Sequence, residues 1–164
     1  WIDFYATDGS LIAENQTRID SPGYPVDLAV SPDGKLIMIS YLYVENGQTT
    51  SYVAFYNFGD EGQGEIDNIV AGFTYEGVVV PQVVYLEGGV SAAFRDDGFS
   101  MYEGSSVPRE KTNKKIKTDI VSTFCNEKYV GLVFKSDGKD DKYTMTLYDL
   151  TGKEKLQPQL QYGI

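Results

Sequence analysis

An all-β fold of repeated four-stranded antiparallel units follows from three features of this sequence. Aromatic-tipped strands recur at a near-constant spacing, a hairpin keeps step with them, and the composition favours strands and turns. The chain has 164 residues, among them 13 Tyr, 8 Phe and 17 Gly. Aromatic side chains fit a pleated, half-buried surface, and glycine supplies the positive φ that tight turns need. Hydrophobic residues make up 41% and charged ones 23%, the proportions of a folded domain rather than a disordered one.

The aromatic-tipped strands are Ile2-Asp3-Phe4-Tyr5, Val53-Ala54-Phe55-Tyr56, Phe99-Ser100-Met101-Tyr102 and Met145-Thr146-Leu147-Tyr148. Their tyrosines stand 51, 46 and 46 residues apart. Each is followed by turn residues: Ala6-Thr7-Asp8-Gly9, Asn57-Phe58-Gly59-Asp60, Glu103-Gly104-Ser105 and Asp149-Leu150-Thr151-Gly152.

The hairpin recurs three times. Val26–Val30 leads through Ser31-Pro32-Asp33-Gly34 into Lys35–Tyr41; Gln82–Leu86 through Glu87-Gly88-Gly89 into Val90–Phe94; and Ile120–Cys125 through Asn126-Glu127-Lys128 into Tyr129–Phe134. Asp-Gly and Gly-Gly are hairpin signals because those turns need φ > 0. Asn126-Glu127 is a weaker signal, so the third hairpin rests on its alignment with the other two. Between each tyrosine turn and the next hairpin lies a more polar strand: Ser10–Ile19, Glu65–Phe73, Lys111–Lys117 and Lys153–Gln159.

The unit is therefore a hairpin of strands a and b, a strand c ending in Tyr, and a polar strand d. Strand a is the most apolar and is expected nearest the axis; strand d is the most charged and is expected at the rim. Four strands in about 46–50 residues is the period of a β-propeller blade. A β-sandwich also has short strands but does not require self-similarity at that period. The expected layout is a half blade over 1–22 and blades over 23–74, 75–117 and 118–164, about three and a half blades of a larger ring. The opening half blade has no a or b strand of its own. Unpaired edges and bare apolar faces are liabilities, so remaining blades of the same protein or a second copy are expected to complete it. The start at Trp1 without Met reads as a trimmed product.

The net charge is −10, carried as −13 over residues 1–108 and +3 over 109–164. An acidic chain opposes sequence-independent nucleic-acid binding and attraction to anionic lipid, so neither nucleic acid nor direct membrane contact is expected. The one basic run, Arg109, Lys111, Lys114, Lys115 and Lys117, reads as an outer edge strand on which lysine blunts edge-to-edge pairing. The single cysteine, Cys125, forms no intrachain disulfide and is expected buried and inert in its apolar run. No apolar stretch approaches the ~18 residues of a membrane span.

Chemistry is sparse. Without histidine there is no Ser-His-Asp or Cys-His system and no histidine-containing metal site. Gly59-Asp60-Glu61-Gly62-Gln63-Gly64 has glycines but neither the Lys-Ser/Thr nor the helix of a phosphate loop, and reads as a c–d loop. The acid pairs Asp60-Glu61, Asp96-Asp97 and Asp140-Asp141 sit beside glycines, where aspartate is ordinary turn chemistry. Asp137-Gly138-Lys139-Asp140-Asp141 has Lys139 where a calcium loop wants Asp or Asn, and no closing Glu. Asn15-Gln16-Thr17 matches a glycosylation sequon. No catalytic residue, metal ligand or cofactor is expected.

Binding is left. The d–a loops (Asp20–Pro25, Thr74–Val80, Lys117–Asp119) and b–c loops (Leu42–Ser51, Arg95–Gly98, Lys135–Lys142) form the expected recognition face. Tyr24, Tyr43, Tyr75 and Tyr143 fall in or beside them, with Arg95, Asp96 and Asp97. Exposed aromatics with a few charges are recognition chemistry, with packing between blades the alternative for half of these tyrosines, so the sequence names no ligand-binding residue.

Gly23-Tyr24-Pro25-Val26-Asp27-Leu28-Ala29-Val30-Ser31-Pro32-Asp33-Gly34-Lys35 resembles the a–b hairpin of a WD40-type blade. The Trp-Asp that usually ends strand c is replaced by Tyr-Asn, Tyr-Glu and Tyr-Asp. Over Gly23–Tyr41, Phe55–Gln63, Val79–Gln82 and Leu147–Lys153 the chain resembles an uncharacterised WD40-like family of Gram-positive, clostridia-type gut bacteria. That resemblance implies an extracellular propeller about twice this length, held at the cytoplasmic membrane by an N-terminal anchor that this chain lacks. It implies no activity. The expected function is a non-catalytic, extracytoplasmic interaction domain for a protein or glycan. The alternatives are a carbohydrate-active hydrolase or lyase using paired carboxylates, and a structural part of a cell-envelope assembly.

Overall fold

The computed structural model describes residues 3, 5–11, 23–57, 69–136, 142–156 and 159–161. They form three antiparallel sheets in chain order. The first holds β1 (Tyr24–Val30), β2 (Leu36–Glu45), β3 (Gln48–Asn57) and β4 (Ile69–Glu76). The second holds β5 (Gln82–Tyr85), β6 (Val90–Arg95), β7 (Gly98–Glu103) and β8 (Arg109–Lys115). The third holds β9 (Ile120–Cys125), β10 (Tyr129–Lys135) and β11 (Lys142–Asp149), with the short β12 (Glu154–Leu156) and β13 (Gln159–Gln161) both paired to β11. Each sheet is a meander, as expected of a propeller blade. Of the opening half blade, the described part is one bridge, Tyr5 to Leu11.

Local chemistry fixes each a–b turn. The Ser31 hydroxyl donates to the Asp33 carboxylate at 2.7 Å and accepts the Leu36 amide at 2.9 Å, while Gly34 takes φ 72°. In the second blade Glu87–Gly89 form one 3-10 turn, with Gly88 at φ 70° and Gly89 at φ 73°. In the third, the Asn126 side chain accepts the Lys128 and Tyr129 amides, both at 2.9 Å. That Asx turn supplies what the missing glycine does not.

Strand limits differ from expectation in several places, and the last d strand, expected over Lys153–Gln159, is two short strands, β12 and β13, both paired to β11. Leu42–Ser51 is not a loop: β2 and β3 pair out to Glu45 and Gln48 around Asn46 (φ 51°) and Gly47 (φ 77°). Asn-Gly is the preferred two-residue hairpin turn, and it extends the strands on both sides. Arg95–Gly98 is likewise a two-residue turn, since Arg95 pairs with Gly98. β4 runs on to Glu76, past the expected Phe73, and β8 starts at Arg109 rather than Lys111.

The sheets stack face to face. In the middle one, β6 is buried throughout and β7 is buried from Gly98 to Tyr102. The rhythmic tyrosines explain the stacking. Tyr102, 0% exposed, lies against Phe55 and Phe73 of the first sheet, with ring centroids 5.2 and 4.8 Å away. Tyr148, 2% exposed, lies 4.7 Å from Phe99 of the second. Tyr102 and Tyr148 thus each plug the preceding blade, adding specific ring geometry to their buried area; Tyr56 packs within its own sheet and bonds Tyr41, and Tyr5 is exposed.

Two of the three a strands leave apolar side chains open, while β5 is buried or half-buried along its length. Val26, Leu28 and Val30 of β1 and Val121 and Phe124 of β9 are exposed. Cys125 also corrects the expectation, since it is exposed at the end of β9. β9 belongs to the last sheet of the stack, and its burial pattern is mostly open. Strand d behaves as expected: β8 is open along most of its length.

Candidate functional site

Two places bring polar groups together. The first is the boundary between the first two sheets. Arg95, at the end of β6, is 2% exposed. Its Nε donates to Asp97 at 2.7 Å, and Nη1 donates to Ser100 Oγ at 2.6 Å and Asn113 Oδ1 at 2.9 Å. Nη2 donates to the Lys114 carbonyl at 3.2 Å, and the guanidinium carbon sits 5.0 Å from the centre of the Tyr75 ring. Tyr75 donates its hydroxyl to Glu110 at 2.6 Å. Burial raises the Tyr75 pKa first, and its bond to Glu110 raises it further. This satisfied network is structural: every donor on Arg95 that bonds does so within the blades.

Arg95 and Tyr75, expected in an exposed recognition loop, are therefore buried blade contacts. Asp97 is committed to Arg95, with the Lys115 ammonium 3.9 Å away. Asp96 is exposed, and its amide bonds the Val79 carbonyl at 3.0 Å. Tyr24 and Tyr43 are exposed as expected, at 78% and 44%; Tyr143 is half-buried. In the basic run, Lys111 pairs with Glu103 at 3.1 Å and Lys114 lies over the Tyr148 ring, on the outer strand β8. Asp60-Glu61, the Gly59–Gly64 segment, Asn15-Gln16-Thr17 and Asp137–Asp141 lie outside the described residues.

The second place is a cavity of about 550 Å³. It opens at the end of the blades that carries the a–b turns, not on the expected face of d–a and b–c loops. All three blades contribute: Asp33 and Leu36 from the first, Tyr85, Glu87 and Gly88 from the second, and Glu127 from the third. The Glu87 amide bonds the Glu127 carbonyl at 2.8 Å and ties the last two turns together. The Tyr85 hydroxyl is enclosed yet has no hydrogen-bond partner. Burial raises its pKa, and the nearby Asp33 carboxylate raises it further. Asp33 stays ionised, its pKa lowered first by the Ser31 hydroxyl and then by the Lys35 amide. The cavity thus joins an unsatisfied phenol and three carboxylates, with no lysine or arginine in its lining. An unpaired buried hydroxyl costs roughly 1–3 kcal/mol, which a bound polar group would recover. Among the described residues no group of three or more acids or cysteines is arranged to hold a metal ion.

The signals that sequence reading missed were Tyr85, Glu87 and Glu127. Each looked like strand or turn chemistry, and only the stacking of three a–b turns makes them one lining.

Three stacked antiparallel meanders, two of four strands and one of four with a fifth short strand on β11, with inter-blade tyrosines, define a β-propeller-type protein. The chain belongs to a family described as "Family of unknown function (DUF5711)", whose model matches residues 1–164. A search of curated proteins gives no match. Among solved structures the chain is similar to one titled "Crystal structure of the eukaryotic initiation factor", with a TM-score of 0.58 and 10% identity. The match takes in 93% of this chain and 35% of that one, so this chain spans about a third of its solved neighbour. At that identity the likeness concerns the fold alone. Among the described residues no helix is long and apolar enough to cross a membrane.

Proposed function

We propose that this chain is a non-catalytic binding domain that holds a positively charged group of a protein or glycan partner in the cavity at its a–b turns. The observation that carries this reading is the enclosed, unpartnered Tyr85 hydroxyl beside ionised Asp33, with Glu87 and Glu127 completing a lining free of positive charge. A concave site with a few convergent polar groups is where ligands bind. Its acids favour an amine or guanidinium over an anion. An extracytoplasmic location, with an anchor outside this chain, is supported by the resemblance to membrane-anchored propellers of gut bacteria.

Calorimetric titration with a lysine- and arginine-rich peptide and with glucosamine tests the reading. Saturable binding by one of them, weakened about tenfold or more in the Glu87→Gln/Glu127→Gln protein and by added salt, is expected. Both substituted residues are exposed, so the fold is retained. Binding unchanged by the double substitution, or no binding by either probe at millimolar concentration, would overturn it.

A further inference from the structure

The cavity at the a–b turns separates its polar groups by exposure. The Tyr85 hydroxyl is enclosed and has no hydrogen-bond partner among the described residues. The Ser31 hydroxyl, in the same lining, is already spent on Asp33 and on the Leu36 amide. Leu36 and Leu86, each 2% exposed, complete the buried part. The carboxylates lie outside it: Asp33, Glu87 and Glu127 are all exposed. Asp33 Oδ1 accepts the Ser31 hydroxyl at 2.7 Å and the Lys35 amide at 3.1 Å. Glu87 and Glu127 stand on neighbouring turns, tied by the bond from the Glu87 amide to the Glu127 carbonyl.

The two levels accept different groups. A cation drawn down to the phenol would exchange its hydration for one neutral oxygen among leucines, a costly transfer. At the exposed carboxylates it keeps water and gains attraction. The phenol stays neutral because burial raises its pKa, so it both donates and accepts. A hydroxyl does the same and is its natural partner.

A lysine or arginine side chain has one polar end, so it serves the rim or the phenol but not both. An amino sugar carries its amine and several hydroxyls on one rigid ring, and its C–H faces suit leucine walls. The cavity volume of about 550 Å³ falls within the roughly 300–1,000 Å³ of small-ligand sites. We infer that the ligand is a polyhydroxylated amine of the amino-sugar class, with its ammonium at Glu87 and Glu127 and a ring hydroxyl bonded to Tyr85. This inference rests on the cation-binding reading above and narrows it.

Calorimetric titration with glucosamine, glucose, cyclohexylamine and a lysine-rich peptide tests it. Glucose keeps the hydroxyls without the amine, and cyclohexylamine keeps the amine on a bare ring. Glucosamine is expected to bind about tenfold or more tightly than either, since a site built to bond a hydroxyl rejects the analogue lacking it. Tyr85→Phe, its folding confirmed by circular dichroism, should abolish the preference over cyclohexylamine and leave the peptide's affinity within about twofold. The cyclohexylamine comparison on the unaltered protein decides the matter should that variant not fold. Cyclohexylamine or the peptide binding as tightly as glucosamine, or a glucosamine affinity unmoved by Tyr85→Phe, would overturn the inference and leave the cation reading standing. Glucose binding as tightly as glucosamine would overturn both, as would no binding by any probe at millimolar concentration.

Discussion

The hydroxyls of Tyr75 and Tyr102 lie 2.5 Å apart across the boundary between the first and second blades. Tyr75 spends its proton on Glu110, so Tyr102 is the donor between the two phenols. Tyr102→Phe removes one bond and leaves Tyr75 satisfied by Glu110; it should cost about 1 kcal/mol. Tyr75→Phe leaves the fully buried Tyr102 hydroxyl unpaired and should cost about 2–3 kcal/mol. Denaturant unfolding of the two single variants and the double one checks this, and the double variant should cost less than the sum.

Arg95 should not be replaceable by lysine. Its guanidinium reaches Asp97, Ser100, Asn113 and the Lys114 carbonyl at once, a fork that one ammonium cannot match. Arg95→Ala leaves Asp97 without its buried partner and should lose about 3–5 kcal/mol. Arg95→Lys should recover less than half of that in the same unfolding measurement.

Gly98→Ala should also destabilise, by about 2 kcal/mol or more, through local strain. Gly98 has φ 148°, and a Cβ there would stand 1.9 Å from the Lys114 carbonyl oxygen of the paired strand. Thermal unfolding followed by circular dichroism measures the loss.

Stability should fall on the alkaline side. Burial raises the pKa of Tyr41, Tyr56, Tyr75, Tyr102 and Tyr148 above the ordinary tyrosine value of about 10. Stability from keeping these phenols neutral is whole below pH about 10 and is lost as pH rises toward their folded-state values. On the acid side, Asp149 has its pKa lowered first by the Thr151 hydroxyl, and Asp33 by the Ser31 hydroxyl. Their contribution is present above their ordinary value near 4 and is lost as pH falls below it. Chemical denaturation at a series of pH values should therefore show a plateau between about pH 4 and pH 10. Tyrosinate absorbance from the buried rings should appear together with loss of the strand signal above it.

Cys125 should react with a thiol reagent in the native state, because it is exposed. Desolvation raises its pKa, which lowers the thiolate fraction at neutral pH. The native rate should be slower than in the unfolded chain and should climb between pH 7 and 9.

Periodicity made the blades legible. Tyr56, Tyr102 and Tyr148 marked three c strands because each blade buries an aromatic at the same place on that strand. The Asp33-Gly34 and Gly88-Gly89 turns marked two hairpins because few residues accept positive φ. Asn46-Gly47 carried an equally local signal, and weighing it would have extended β2 and β3 to their observed ends.

Burial and the cavity were not legible in the same way. Arg95 beside Asp96-Asp97 looks like an exposed loop, and its burial depends on Tyr75 and Asn113, which lie 20 and 18 residues away. Cys125 sits in an apolar run, yet its strand belongs to the last sheet of the stack. The sequence by itself determined strands, turns and repeat length, because those follow from neighbouring residues and pleat. Only the tertiary structure decided which apolar faces are covered and where acids converge. Those depend on how whole blades stack, and the stacking brings Asp33, Tyr85 and Glu127 from three repeats to one cavity.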